Sequence, residues 1–349
     1  KGFIKTMIKP NTKLDLKSGR VIITASEAKK VLKKILSNVG CNKKEIVSIS
    51  EHLVDTSLCG MESHGIMRIL EYVKQYENGY MYPDRTATVK KNKYGGVEVN
   101  GHGGIGIPTM NLAYKKGMSL AKKAGISALS IRDVGHTGRH GYFADIAASQ
   151  GFLTIMMGGG NRKKWRQVAP FGGSKAMLPT NPYCIGIPGG NLGPVILDFA
   201  TSKISGGWIY AAKSAGAMLP KDCIIDSNGN PTCDPDDYFD GGAILPAGEQ
   251  KGYGLALIAE LIGEALLGPA TTECNWLLIT LNANQWRSKS TLKTTAEEIL
   301  NELRKSPPLK HIEKVEVPGE REREHRLCSK EKIAVPIRTW QQIKMLLIN

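Results

Sequence analysis

The chain has 349 residues, 41% hydrophobic and 23% charged, which suits a folded protein with a sizeable core and room for about two domains. No apolar run reaches the roughly 18–20 residues that cross a bilayer, and seven scattered cysteines without a C-x-x-C speak against a disulfide framework and for a reducing cytoplasm. The net charge of +15 invites an anionic partner, yet bases alternate with acids, as in PGEREREHR, and aromatics are only 6%, so a small anionic substrate is favoured over nucleic acid.

The opening, KGFIKTMIKPNTKLDLKSGR, is basic and lacks the apolar stretch and cleavage site of a signal peptide, so it is given no functional weight. Apolar residues at helical spacing follow: Val31, Ile35 and Val39, then Ile46, Ile49, Leu53 and Leu58. They predict two helices, the first capped by Ser26 and closed by Gly40. SHGIMRILEYVKQYENG predicts a third that ends at Gly79. From TATVKKNKYGGVEVNG onward the texture turns to short β-rich runs: GISALSIR, GFLTIMM, NPYCIGIP and GPVILDFA. Helices are predicted at about 109–124, 140–150 and 251–267, with a turn-rich loop at DSNGNPTCDPDD. NWLLITLN reads as a late strand, TTAEEILNELRKSPP as an amphipathic helix stopped by two prolines, and RTWQQIKMLLIN as a last helix. The fold class is α/β. A helical part over 20–85 precedes a central α/β part over 86–285, and a helical part over 286–349 packs back on the first.

Five local patterns bear on chemistry. Gly101-x-Gly103-x-x-Gly106 matches the dinucleotide fingerprint, but the strand before it, GVEV, is short and polar for a buried parallel strand, and Asp133 lies farther on than the fingerprint's acid. In GMESHGIMR, Ser63 and His64 sit at a helix start with Arg68 four residues after His64, on one helix face. An arginine there can grip a carboxylate bidentately, although a capping serine with an exposed histidine and arginine is the plainer reading. His136, in IRDVGHTGRHGYF, occupies a Gly-flanked loop between a strand and a helix. A histidine there can take and return an alcohol's proton, with His140 either a second member or part of the helix's first turn. Asp198 and Thr201, after the run PVILDF, could hold ribose hydroxyls or simply close a strand. Lys251 and Gly252 open a long apolar helix where free N–H groups favour an anion, or form an ordinary glycine-rich helix entry. No H-E-x-x-H or Cys/His cluster points to a metal.

Taken together, SHGIMR, NGHGGIG, GHTGRHGYF, APFGG, PTNP, LDFATS, LPKDCIIDSNGNPTCDP, GGAILPAGEQKGYGLAL and PGERE occur in the order seen in one family. The chain resembles the malate/L-lactate dehydrogenase family of the non-Rossmann type over about residues 25–330. That resemblance implies a non-Rossmann α/β fold for NAD or NADP, a homodimer, and a 2-hydroxycarboxylate interconverted with its 2-keto acid by hydride transfer. It makes His136 the catalytic histidine, with Ser63 and His64 beside it and Arg68 as carboxylate anchor. Asp198, Ala200 and Thr201 become cofactor contacts, with Gly160, Asn181, Lys251, Gly252 and Gly254, and the Gly101–Gly106 fingerprint becomes a decoy. Two departures withhold the substrate: VGHTG stands where many relatives have SNHFG, and SGGW at 205–208 where they have ARGK. The basic run Arg162, Lys163, Lys164 and Arg166 either meets a cofactor phosphate or is a solvated loop. The alternatives are a reductase of cyclic 2-carboxylate imines, a true Rossmann dehydrogenase using Gly101–Gly106, and a basic nucleic-acid-binding protein.

Overall fold

The computed structural model describes residues 19–348, so nearly all of the basic opening lies outside the described residues. A strand, β1 (Arg20–Thr24), leads into helices α1 (Ala25–Asn38) and α2 (Lys43–Leu58). The cap of α1 is Thr24 and not Ser26: Thr24 is still extended and its side chain accepts from the Glu27 N–H, whereas Ser26 is already helical. Gly40 follows at φ +89°, the left-handed position that favours glycine after a helix.

The predicted third helix begins late. Two 3-10 turns, Glu62–His64 and Ile66–Arg68, precede α3 (Ile69–Glu77). Gly65 separates the turns, where a Cβ would strike the Ser57 side chain, and Ser57 Oγ accepts from the Ile66 N–H at 2.9 Å. His64 and Arg68 therefore do not share a helix face. This corrects the reading from four-residue spacing, which assumed a continuous helix.

Strands β2 (Thr88–Lys91) and β3 (Val97–Gly104), helix α4 (Gly106–Ala124), β4 (Ile126–Val134), α5 (His140–Ser149), β5 (Phe152–Gly159), β6 (Tyr183–Gly190) and β7 (Gly193–Phe199) follow. A smaller cluster comprises α6 (Gly206–Ala215), β8 (Ile224–Ile225), β9 (Pro231–Thr232), α7 (Pro235–Phe239) and β10 (Ala243–Ile244). Helix α8 (Gln250–Glu260) runs on through a π-helical turn at Leu261–Leu266, then come β11 (Asn275–Asn282), α9 (Lys289–Arg304), α10 (Glu320–Ser329), β12 (Lys332–Pro336) and α11 (Ile337–Met345).

The main sheet has the order β2-β3-β4-β11-β5-β6-β7, and among the described residues β3/β4 is its only parallel pair. Strand β11 slots between β4 and β5, antiparallel to both, so Leu278 faces Leu129 on one side and Met156 on the other. A doubly wound dinucleotide fold is built from parallel neighbours, so this sheet is α/β of a different kind. Strands β1 and β12 pair antiparallel, Val21 opposite Val335. One core joins the chain's two ends to the sheet through Leu32, Ile49, Tyr72, Ile131, Leu278 and Trp340.

The fingerprint glycines lie in a genuine strand–turn–helix, since β3 is eight residues long and carries Gly101 and Gly103. They are nonetheless filled by protein. A Cβ on Gly101 would strike the Val134 side chain and come within 2.9 Å of the Asp133 carbonyl, and one on Gly106 would meet Thr137 and the Gly135 carbonyl. These glycines admit the neighbouring strand end and leave no berth for a pyrophosphate.

Candidate active site

A cleft of about 550 Å3 opens where β4, β7 and β11 end against the loop before α10. Its histidine wall is built by the Gly135–Arg139 loop. His52 on α2, wholly buried, accepts from the Arg139 N–H at 2.9 Å and pins this loop, and a Cβ on Gly138 would strike the His52 ring. His136 is 9% exposed and lines the cleft. Its Nδ1 lies 2.7 Å from the Tyr72 hydroxyl and accepts from the Gly138 N–H at 3.2 Å. The His64 ring sits 5.5 Å from it, centroid to centroid, and Ser63 Oγ lies 3.0 Å from His64 Nδ1.

Burial, reinforced by the Arg68 charge, holds His136 well below the usual imidazole pKa. The same causes, with Arg139, bring His64 down to about 4. Burial and then His64 bring His140, whose ring lies 4.3 Å from Trp276, down to about 3. All three imidazoles are therefore neutral at pH 7. His140 Nδ1 has no hydrogen-bond partner in the wall.

Charged groups line the cleft beside the histidines. Asp198, at the end of β7, accepts from the Gly141 N–H at 2.6 Å through Oδ2. Gly141 permits this approach, because a Cβ there would come within 3.2 Å of that oxygen. The carboxylate thus sits at the positive N-terminus of α5. Burial raises its pKa, while the Gly141 bond and Arg139 oppose that shift. Arg139 is buried against Asp55 at 3.0 Å, and Arg326 of α10 meets the same carboxylate at 3.1 Å. Glu273, just before β11, also lines the cleft. Burial pushes its carboxyl up to about 7 against the pull of Arg68, and Glu71 adds to the rise.

Of the residues expected from the sequence, Ser63, His64, His136, Asp198 and Ala200 line this one cleft. Arg68 stands behind it: its guanidinium pairs with Glu71 at 2.6 Å and lies over the Tyr72 ring. Thr201 is buried, with its N–H and hydroxyl both donating to the Thr180 carbonyl. Asn181 is wholly buried and donates to Glu260 at 2.9 Å. Gly160 and Gly252 are close approaches of backbone to Gly263 and to Ala247. Lys251 and Gly254 sit in the first turn of α8, away from the cleft lining. Arg162 bonds Glu264 at 3.0 Å, and the run 162–166 is also absent from the lining. Sequence reasoning missed Tyr72, Arg139 as a wall residue, and Glu273. Tyr72 alone carried a signal, standing four residues after Arg68 on the helix α3 continues.

The cleft's chemistry fits a nicotinamide dinucleotide with a small acid. Ile196, Phe199, Pro182 and Trp208 offer apolar surface to a flat ring, Asp198 offers a carboxylate to hydroxyl or amide groups, and Arg321 and Arg323 bring positive charge. The volume lies within the ordinary range for ligand sites.

A family model described as malate/L-lactate dehydrogenase matches residues 23–344. The chain is 29% identical over 336 residues to L-sulfolactate dehydrogenase of Methanocaldococcus jannaschii, covering 93% of this chain and 96% of that protein. It is 32% identical to hydroxycarboxylate dehydrogenase B of Escherichia coli K12, over 76% of this chain and 70% of that protein. Among solved structures, a dehydrogenase from Sinorhizobium meliloti superposes with a TM-score of 0.83 at 27% identity, over 95% of this chain and 99% of that one.

Proposed function

The chain belongs to the malate/L-lactate dehydrogenase family, and from that premise we propose that its cleft binds a nicotinamide dinucleotide, NAD or NADP, beside a small 2-hydroxycarboxylate or its 2-keto acid. The observation that carries this reading is the pair of neutral histidine rings, His64 and His136, 5.5 Å apart in the wall of a cleft that Asp198 also lines. The dinucleotide supplies a hydride acceptor or donor. Everything else is done by the chain's own residues.

His136 exchanges a proton with the oxygen on the reacting carbon. Burial keeps the imidazole neutral, so it can accept a proton directly, and to give one up it must draw on a neighbouring donor. His64, oriented by Ser63 at 3.0 Å, supports the same oxygen from its place beside His136. Arg68 anchors the substrate carboxylate by exchanging its Glu71 partner for it, and its charge already acts on Glu273 in the cleft lining, where it opposes the rise that burial imposes. Asp198 and Ala200 face the cofactor. Gly160, Asn181, Thr201 and Gly252 serve it by holding the walls in place. Once filled, the cleft excludes water and fixes both reactants, which contributes much of the rate gain in such reactions.

We assign the assembled form to a homodimer. Leu255, Leu257, Ile258, Leu261 and Leu266 are all exposed along α8 and its π-helical turn, a concentration of apolar side chains of the kind that another protein surface covers. Scattered cysteines without a C-x-x-C support a reading of it as a cytoplasmic protein.

The test is to titrate the purified chain with NADH and NADPH by tryptophan-to-nicotinamide energy transfer, then follow absorbance at 340 nm with pyruvate, oxaloacetate and pyrroline-2-carboxylate. Saturable binding with turnover of a keto acid supports the reading. Turnover of the cyclic imine alone moves the acceptor from C=O to C=N, and no binding of either nucleotide sinks it.

A further inference from the structure

The hydrogen bonds around His136 determine which of its nitrogens carries the proton. A backbone N–H can only donate, and the Gly138 N–H points at Nδ1 from 3.2 Å. Nδ1 must therefore present its lone pair, so the Tyr72 hydroxyl at 2.7 Å, wholly buried, donates to it as well. In a neutral ring the proton then resides on Nε2. Among the described residues Nε2 has no hydrogen-bond partner, and it is not a sealed orphan atom, in a residue that lines the cleft.

We propose that Tyr72 and the Gly138 N–H lock His136 as its Nε2–H tautomer, so that the resting site presents a proton donor to the cleft and is set to receive a carbonyl rather than an alcohol. The inference rests on the reading of His136 as the group that meets the reacting oxygen. On reduction, hydride reaches the carbonyl carbon, the C=O π pair becomes the oxygen's lone pair, and that oxygen takes the proton as the Nε2–H bond breaks. Nδ1 takes the Tyr72 hydroxyl proton in the same movement, so the ring stays neutral and never becomes an imidazolate. The phenolate left behind is disfavoured by burial and favoured by the charge and hydrogen bond of Arg68, whose guanidinium lies 5.8 Å from the Tyr72 ring centre. It regains its proton by the reverse relay once product has left, when solvent in the cleft protonates Nε2 and Nδ1 returns its proton to Tyr72. Tyr72 is thus a positioning residue that acts through His136. In oxidation the ring must first adopt the opposite tautomer, with two N–H groups facing each other at Gly138. The overall equilibrium fixes the ratio of the two kcat/KM values, so this bias shows in the resting tautomer and in the separate kcat and KM values.

The tautomer can be read without turnover, by long-range proton–nitrogen NMR of protein labelled with 15N-histidine. Seven histidines are present, and His136→Asn identifies the signal that belongs to His136. The expected pattern is a protonated Nε2 and an unprotonated, hydrogen-bonded Nδ1. In Tyr72→Phe the Nδ1 resonance should move toward that of a free imidazole nitrogen, and kcat for keto-acid reduction should fall about tenfold or more with KM within about twofold. A protonated Nδ1 in the unmodified protein overturns the proposal even if the enzyme turns over, as does an Nδ1 signal or a kcat that ignores Tyr72→Phe. The NMR pattern without any turnover would instead count against the dehydrogenase reading alone.

Discussion

Two glycine-rich junctions lie side by side in this molecule, one from β3 into α4 at Gly101–Gly106 and one from β4 into α5 at Gly135–Gly141, and only the second opens on the cleft. Their strands are adjacent and parallel, so the junctions emerge at the same edge of the sheet. The first has the letters of a dinucleotide fingerprint but is packed with its neighbour's backbone and the Val134 and Thr137 side chains. The second has no such signature, yet it brings His136, His140 and the Gly141 N–H to the cleft wall. What decides is what fills the space a glycine leaves: another part of the protein in one case, a ligand-sized cleft in the other.

The largest effect expected is at the open junction. His136→Ala should lower keto-acid reduction by about 100- to 10,000-fold, the usual contribution of a positioned acid–base group. Nucleotide affinity should stay within a few fold, since the ring's role is in the proton transfer. Stopped-flow hydride transfer beside equilibrium nucleotide titration measures both, and a variant of near-normal rate removes His136 from the chemistry.

Next comes acid sensitivity, which the open junction concentrates. His64 and His140 have pKa values brought down to about 4 and about 3, and His52 and His136 lie well below 6.5, in each case first through burial. The folded state resists protons that the unfolded chain accepts below about 6.5. Stability is therefore complete above that pH and lost as pH falls from 6.5 toward 4, by up to about 1.4 kcal/mol per pH unit for each such histidine. Urea midpoints at pH 7.5, 6.0 and 5.0 should fall steeply in that order. Those of the His140→Gln protein should fall less, and a flat profile would contradict the buried neutral rings.

At the closed junction the effect is on folding rather than on binding. Gly101→Ala forces a methyl onto Val134 and the Asp133 carbonyl, and should cost about 1–3 kcal/mol as overpacking does. The fraction that folds should bind NADH as tightly as before. Loss of binding in protein that still folds would mean that the nucleotide uses these glycines after all.

Much of the second junction was legible in the sequence, and some of its neighbours were not. His136 and Asp198 announce themselves as polar residues where an apolar run ends. The N-terminal helices and the strand at 275–282 follow from periodicity and β-branched or apolar runs. The insertion of β11 between β4 and β5 does not, because that pairing joins segments more than a hundred residues apart and no local pattern encodes it. Arg139 finds its partner Asp55 across 84 residues, and the acid that shares the cleft, Glu273, sits in TTECNW with no periodic context. Tyr72 stands four residues after Arg68 in an amphipathic pattern, but only the fold brings its hydroxyl to His136. The single Gly65 also divides a helical pattern that spacing alone makes continuous.

The smallest effect separates the cleft from the charge that surrounds it. Arg162, Lys163, Lys164 and Arg166 form the densest basic run near the centre of the chain, the natural place to look for a phosphate contact. Yet Arg162 is already engaged by Glu264, Lys163 and Lys164 are exposed, and none of the four lines the cleft. Exposed charges at that remove are screened within about 8–10 Å at ordinary ionic strength. Lys163→Ala combined with Lys164→Ala should therefore leave the affinities for NADH and NADPH each within about twofold, with their ratio unchanged. A selective loss of NADPH binding would instead place the 2′-phosphate on this loop and extend the functional site beyond the cleft, so this measurement, though it expects almost nothing, fixes where the site ends.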